Sequence, residues 1–455
     1  MAENKKSFKL FDAILSVICV VFVAEAAAPA AAIGNSQYFW WIFLIVTFLL
    51  PYGLIAAELG TTYEDEGGLY DWVKRAYGQK WGSRVAWYYW VNFPLWMASL
   101  AVIFPEVIQM ISGYEMSVLS AVAVELAFIW IVVFISFFRV SDSKWILNLS
   151  AIFKVFIALV LGGLGLYVAF TQGMATEFTL GSMLPSTDLT SLAFVSVILF
   201  NFMGFEVVTT FASDMENPRK QIPQAIIAGG LAIAALYIFS SFGIGVAIPP
   251  DEINTANGLI ESVQLLTGSA GGMFITLIGV IFLMTLFGNM VSWSYGVNYV
   301  AMYAARNNSL PQIFAKESEK TGMPTGAAIM NGTVASILIV IAPFLPSQDL
   351  FWSFFALNIV TLLMSYVMVF PAFLKLRSID PDRNRPFFVS GGQGRLKIMA
   401  YLPMILLIIA ILFSCVPFNL SPEELAAKVP LTIGVVFAIV IGEIIAAVEQ
   451  RKGVS

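Results

Sequence analysis

The stretch FVAEAAAPAAAIG, residues 22–34, lies in the first long apolar run of the chain and contains a carboxylate, Glu25, and a proline, Pro29. An ionisable group in the hydrocarbon region of a membrane is expensive, and such groups usually face a cavity or a partner. A proline inside a helix removes one backbone hydrogen bond and kinks or breaks the helix. The stretch therefore predicts an interrupted membrane helix with a functional carboxylate beside Pro29.

Composition indicates that the whole chain is embedded in a membrane. Of its 455 residues, 59% are hydrophobic and 12% are charged, and the mean hydropathy is +0.84. A soluble fold could not bury so much apolar surface. The chain has no histidine and two cysteines, Cys19 and Cys415, each in an apolar run. We therefore expect no disulfide, no metal site and no cofactor.

Apolar runs long enough to cross the hydrocarbon core predict about twelve transmembrane helices. The runs are 12–34, 39–60, 84–112, 118–138, 147–170, 190–213, 224–248, 272–304, 327–345, 350–374, 397–416 and 429–448. If these spans alternate in direction, the Lys and Arg residues outside them gather on one side, and only Lys428 lies on the other. The positive-inside rule then predicts that both termini are cytoplasmic.

The sixth run, like the first, has a helix-breaking residue and an acidic residue near the middle of the span. Its sequence LFNFMGFEVVTTFASDMENP, residues 199–218, has Gly204 and Glu206 near the middle of the span. Interrupted helices five spans apart are expected of transporters built from two inverted repeats, which bind substrate at the breaks. This predicts a cytoplasmic tail at 1–11, a core at 12–374 with repeats 12–170 and 190–374, a loop with two added helices at 375–448, and a tail at 449–455.

Three longer motifs resemble the amino acid–polyamine–organocation superfamily of transporters. They are FNFMGFEVVTTFASDMENPRKQIPQAI (200–226), LIAAELGTTYEDEGGLYDWVKRAYGQKWG (54–82) and YVAMYAARNNSLPQIFAK (299–316). They are similar to that superfamily's sixth helix, its second helix with the following loop, and the end of its eighth helix. The resemblance implies an all-α, LeuT-type fold of ten core helices with broken helices one and six. It also implies alternating access, with uptake or exchange of amino acids or amines.

The first helix departs from the superfamily pattern G-[SA]-G-[IV]-[FY]-x-x-P, whose glycine amides bind the substrate α-carboxylate. Alignment on Pro29 places Phe22, Val23 and Ala24 at the G-[SA]-G positions, with Glu25 next. A carboxylate prefers free N–H groups and avoids a neighbouring anion, whereas an ammonium prefers the anion. Polyamine-uptake members of eukaryotes have a similar F-E-V-x-G-G-P. We therefore predict that Glu25 pairs with one cationic end of a substrate such as putrescine or agmatine.

Three charged residues within the spans have more than one interpretation. Glu25 is alternatively a structural carboxylate or a protonated group that couples proton movement. Glu206 either stabilises the broken sixth helix, couples protons or contacts substrate. Lys154 resembles the superfamily's fifth-helix lysine, which implies an ammonium in place of a sodium ion, bridging helices one and eight. Alternatively, Lys154 extends to the cytoplasmic interface.

Further residues are predicted to line the substrate site. The resemblance implies contacts from residues of the first, third, sixth and eighth helices, namely Phe22, Ala24, Trp90, Asn92, Phe93, Phe200, Gly204 and Trp293. Asn201 and Asn289 are uncharged polar groups in apolar spans. They either orient the ligand or form interhelical hydrogen bonds.

We thus predict a multi-pass transporter of the cell membrane that exchanges cationic amines, and neither an enzyme nor a nucleic-acid-binding protein. One alternative keeps the fold but transports amino acids, or exchanges an amino acid for its decarboxylated amine, with proton coupling as an option. A transceptor or a partner-dependent transport subunit is an alternative of a different class. The expected partners are small amines or amino acids and the lipid bilayer, and a homodimer is left open.

Overall fold

The computed structural model of the protein describes residues 8–63, 67–185, 195–254, 258–268, 272–344, 350–418 and 420–452. Over these residues the chain is helical, with a single isolated bridge between Phe8 and Met215. Among the described residues, eleven helices are long and apolar enough to cross a membrane, and a bent pair of shorter helices makes a twelfth span. The prediction of about twelve transmembrane helices is confirmed. Residues 190–194 of the predicted sixth span, and residue 345 of the ninth, lie outside the described residues.

The spans are numbered here in chain order. The first is the bent pair Leu10–Val21 and Ala24–Ala31. The others are Gly34–Thr62, Gln79–Ser112, Val118–Ile135, Val140–Thr171, Val195–Ala212, Pro218–Ala247, Gly272–Arg306, Thr325–Phe344, Trp352–Ile379, Gln393–Cys415 and Glu424–Arg451. Shorter helices, Gly68–Tyr77 and Gly258–Thr267, lie in the loops after the second and seventh spans. In lipid, helices satisfy every backbone group internally, so apolar runs of this length fold as helices.

The first span is broken at Phe22 and Val23, and its two halves meet at an angle of 48°. Both residues are extended, with φ/ψ of −75°/114° and −120°/102°. Pro29 lies inside the second half, about two turns after the break. Pro29 has no N–H to donate to the carbonyl of Glu25, and the turn around Glu25 is a 3-10 turn.

The sixth span is broken at residues 201–204. Its helix Val195–Phe200 stops there, and a 3-10 helix, Phe205–Asp214, continues the span. Gly204 has φ of +106°, which only glycine adopts without strain. A Cβ atom on Gly204 would lie 2.9 Å from the Trp293 ring and 3.2 Å from Val20 of the first span. Glycine therefore allows the sixth-span break to approach both the first and the eighth spans.

We predict that the Gly204→Ala substitution lowers the free energy of unfolding by about 2–5 kcal/mol, from positive φ and overpacking together. The melting temperature of the purified protein measures this loss. The matched control is Gly163→Ala in the fifth span, where an added Cβ meets nothing within 4 Å and alanine favours the helix. Equal melting temperatures for the two variants would contradict the assigned role of Gly204.

Contacts between loops support the alternation of the spans. Lys74 and Gln79, in and after the loop that follows the second span, bond to Asn307 after the eighth span, at 2.7 Å each. At the other end, the backbone N–H of Ala175, after the fifth span, donates to Val246 O at 3.0 Å, near the end of the seventh. Loops that alternation places at the same end therefore contact one another.

Candidate functional site

Lysine and asparagine side chains bind the carbonyls that end the first half-helix. Cys19 O accepts hydrogen bonds from Lys154 Nζ at 2.6 Å and from Asn289 Nδ2 at 3.0 Å. Lys154 also donates to Phe22 O, and Asn289 also donates to Val20 O at 3.0 Å. Lys154 is 1% exposed, so its ammonium does not extend to the membrane interface. Since a helix end leaves its last carbonyls without intrahelical partners, these side chains stabilise the break.

Two aromatic residues complete the bonding at the break. The indole Nε1 of Trp293 donates to Val20 O at 2.8 Å. The Tyr237 hydroxyl donates to Val21 O at 2.8 Å and accepts a hydrogen bond from the Val23 N–H, also at 2.8 Å. Groups from the fifth, seventh and eighth spans thus hold the unwound segment in one conformation.

Glu25 is buried beside this segment, in the turn Ala24–Ala26 that opens the second half-helix. It is 1% exposed, and Ala24 before it is fully buried. Its Oε1 atom has no hydrogen-bond partner among the described residues, and the Lys154 ammonium donates to backbone carbonyls rather than to this carboxylate. Burying a carboxylate oxygen without a partner is costly. Within the described part of the chain, Glu25 Oε1 therefore lacks the hydrogen-bond donor that a buried carboxylate oxygen normally has.

Asn201 joins the two broken spans. Its Nδ2 donates to Ala26 O at 3.4 Å, one residue after Glu25. Its Oδ1 is buried and has no hydrogen-bond partner within the part of the chain that the structure describes. The sixth-span break therefore presents a second hydrogen-bond acceptor next to the turn that contains Glu25.

Glu206 is held by three tyrosine hydroxyls. Its Oε1 accepts hydrogen bonds from Tyr89 at 2.8 Å and from Tyr366, and its Oε2 accepts one from Tyr52. The three tyrosines come from the third, tenth and second spans. Glu206 is 1% exposed, so it ties four spans together while both of its oxygens are satisfied. This differs from Glu25, whose Oε1 lacks a partner among the described residues.

Aromatic rings pack around the two breaks. Phe200, the last residue before the sixth-span break, contacts Trp96 and Phe355 with ring centroids 5.5 and 5.2 Å apart. Trp96 Nε1 also donates to Asn289 Oδ1 at 3.1 Å, which links these rings to the first break. Phe22 is fully buried at the other break. The predicted positions Phe22, Phe200 and Trp293 are thus brought to the same region.

The third-span residues are only partly brought to this region. Trp90 packs on Phe314, at 4.8 Å between ring centroids, in the loop after the eighth span. The Asn92 amide donates to the Tyr89 carbonyl within its own helix. Phe93 is fully buried and follows Tyr89 by one turn on the same helix face. Asn92 and Phe93, three and four residues after Tyr89, therefore lie on the helix face of Tyr89, which contacts Glu206, whereas Trp90 does not.

Sequence reasoning missed the tyrosines and one tryptophan that build the site, which are Tyr52, Tyr89, Trp96, Tyr237 and Tyr366. Among the 64 aromatic residues counted from the composition, 15 are tyrosines and 11 are tryptophans. A buried tyrosine hydroxyl needs a partner. The sequence could therefore have indicated that a buried Glu206 needs hydrogen-bond donors. It does not indicate which tyrosines provide them.

Comparison with known proteins places the chain in a family. The sequence model of the family described as amino acid permease matches residues 8–442. The chain belongs to the amino acid permease family. This confirms the resemblance carried by the three motifs and identifies the permease as a multi-pass membrane transporter rather than an enzyme.

Similar curated proteins are transporters with different substrates in their names. The permease is 58% identical over 445 residues to the "Probable agmatine/putrescine antiporter" of Lactococcus lactis, covering 98% of the permease and 96% of the relative. It is 23% identical to a "Probable polyamine transporter" of Arabidopsis thaliana, covering 89% and 75%. It is 25% identical to the serine/threonine exchanger of Bacillus subtilis, covering 85% and 86%.

Proposed function

We propose that this permease exchanges cationic amines of the agmatine and putrescine class, and that Glu25 pairs with one cationic end of the substrate. The observation that carries the proposal is the burial of Glu25 at the break, with Oε1 lacking a partner among the described residues. An ammonium or guanidinium group satisfies that oxygen and neutralises its charge. The 58% identity to a protein named as an agmatine/putrescine antiporter supports the same class of substrate.

Electrostatics at the break disfavours an α-carboxylate in the same place. Two like charges about 4 Å apart repel by about 4 kcal/mol at an effective dielectric constant of about 20. The Val23 N–H, a donor that a carboxylate would need, already binds the Tyr237 hydroxyl. A substrate that presents an amine to Glu25 avoids both costs.

The rest of the substrate contacts neutral groups. The aromatic rings of Phe200, Trp96 and Trp293 surround the breaks, and a ring face attracts a desolvated cation by about 2 kcal/mol. The Asn201 Oδ1 offers a neutral acceptor beside Glu25. Exchange of one dication for another moves little net charge, so the two solute gradients suffice to drive it.

The proposed architecture is the LeuT type. Spans one to five and six to ten form two inverted repeats, since the breaks occur at corresponding spans, the first and the sixth. The Lys- and Arg-rich loops, with both termini, face the cytoplasm by the positive-inside rule. Alternating access then opens the breaks first to one side of the cell membrane and then to the other.

Sodium is not required for this exchange, because Lys154 supplies a positive charge to the carbonyls of Cys19 and Phe22. We expect the same initial rate of agmatine uptake in sodium buffer and in choline buffer of equal ionic strength. Lys154→Met leaves these carbonyls without that donor, so we expect exchange to fall by at least about tenfold. Uptake by wild-type protein that requires sodium would contradict this role of Lys154.

The proposal is tested in liposomes that contain the purified protein and putrescine. External labelled agmatine should enter only when putrescine is inside, and external putrescine should compete with it. Alanine, which has one amine and a carboxylate, should compete poorly. Strong exchange of alanine without competition from amines would contradict the proposal and favour an amino acid substrate.

A further inference from the structure

Tyr237 of the seventh span is fixed in position by its neighbours. Its ring stacks on Trp41 at 5.1 Å between centroids with an interplanar angle of 17°, and it contacts Phe22 at 4.7 Å. The residue is fully buried. Its hydroxyl lies between the two backbone groups that flank Phe22, Val21 O and Val23 N–H.

The Tyr237 hydroxyl acts towards these two groups both as a hydrogen-bond donor and as an acceptor. It donates to Val21 O and accepts from Val23 N–H, each at 2.8 Å. Val23 directly precedes the turn that contains Glu25. One hydroxyl therefore joins the two halves of the first span and fixes the backbone two residues before the carboxylate.

The Val23 N–H is also one of the backbone donors at the start of the second half-helix. Free N–H groups at the start of a helix bind anions such as carboxylates. A carboxylate that competed for this N–H would displace the Tyr237 hydroxyl and leave it buried without a donor. Breaking a buried hydrogen bond in this way carries the full desolvation penalty of the group left unpaired.

We propose that Tyr237 is a specificity-determining residue, which excludes substrates that carry an α-carboxylate by engaging the Val23 N–H. The inference rests on the proposed function, because it concerns the choice between an amine and the amino acid that differs from it by one carboxylate. Agmatine and arginine form such a pair, and putrescine and ornithine form another. Tyr237 positions the break and need not contact the amine itself.

The test compares agmatine with arginine as competitors of labelled putrescine uptake, in wild-type protein and in Tyr237→Phe. Phenylalanine keeps the ring and its stacking on Trp41, but it frees the Val23 N–H. We expect the preference for agmatine over arginine to fall by at least about tenfold, which corresponds to one buried hydrogen bond. Putrescine and ornithine should show the same change in ratio.

Tyr295→Phe is the matched control, since Tyr295 is also fully buried and its hydroxyl donates to a backbone carbonyl, Ile135 O, at 3.3 Å. It should leave the agmatine-to-arginine ratio unchanged. If Tyr237→Phe does not yield folded protein, Tyr237→Leu removes the same hydroxyl and should shift the ratio in the same direction. An unchanged ratio in the active variant, or equal weakening of both competitors, would overturn the inference.

Glu25→Gln separates this inference from the function on which it rests. If Glu25→Gln keeps the wild-type affinity for agmatine, the proposed pairing of Glu25 with the amine fails whatever Tyr237→Phe does. If Glu25→Gln loses that affinity while Tyr237→Phe keeps the wild-type ratio, the amine site stands and the role of Tyr237 fails. A lower ratio in Tyr237→Phe, together with lost affinity in Glu25→Gln, supports both.

Discussion

Replacing Glu25 by Gln should weaken the binding of agmatine and putrescine by about thirtyfold or more. The substitution keeps the shape and one carbonyl oxygen of the side chain but removes the charge. Truncating one partner of a buried charged pair costs about 2–5 kcal/mol, which corresponds to roughly 30-fold to several-thousandfold in affinity. Competition against labelled agmatine in liposomes measures the change directly.

The control for this substitution is Glu252→Gln. Glu252 is an exposed carboxylate in the short 3-10 helix Pro250–Glu252, so it shares the chemistry of Glu25 without its burial. We expect wild-type affinity from it, because exposed charges contribute little to binding. Retained amine affinity in Glu25→Gln would show that the charge of Glu25 is not the ligand, and a structural role for Glu25 would then be favoured.

Replacing Glu206 by Leu should destabilise the protein by several kcal/mol. Leucine leaves the hydroxyls of Tyr52, Tyr89 and Tyr366 buried without their acceptor, and each unpaired hydroxyl costs about 1–3 kcal/mol. The melting temperature should fall by several degrees or more. Reduced yield of folded protein on gel filtration is expected with it.

Glu206→Gln is the matched control for Glu206→Leu, because it removes the charge but keeps hydrogen-bonding groups. The Gln amide oxygen can still accept from Tyr89 and Tyr366, which both donate to Oε1 of Glu206. The Tyr52 hydroxyl can rotate to accept from the amide nitrogen. We therefore expect a nearly normal melting temperature for Gln and a large loss for Leu. Equal stability of Leu and wild type would contradict the role of Glu206 as the acceptor that joins four spans.

The number of spans and the two interrupted helices could be predicted because they follow from local properties of the sequence. Apolar runs of sufficient length must be helical in lipid, and Gly204 with its positive φ marks the sixth-span break. The first break lies at Phe22 and Val23, about two turns before the proline that indicated an interruption. The proline alters the bonding one turn before itself, whereas side chains from three other spans stabilise the break, and their positions depend on packing.

The site was harder to predict than the fold for the same reason. Glu25, Lys154 and Glu206 stand out because charged residues are rare within apolar runs. Tyrosines do not stand out in this way, so the roles of Tyr237 and Tyr366 appear only when distant spans are packed together.

The central claim is that the buried site binds a cationic amine. The most direct measurement is the melting temperature of the purified protein with agmatine, putrescine or alanine added at equal concentration. A ligand that binds only the folded state at about 100 times its Kd stabilises it by about 2.7 kcal/mol. We expect agmatine and putrescine to raise the melting temperature of the wild type but not of Glu25→Gln, and alanine to change neither. A rise with alanine and none with the amines would contradict it.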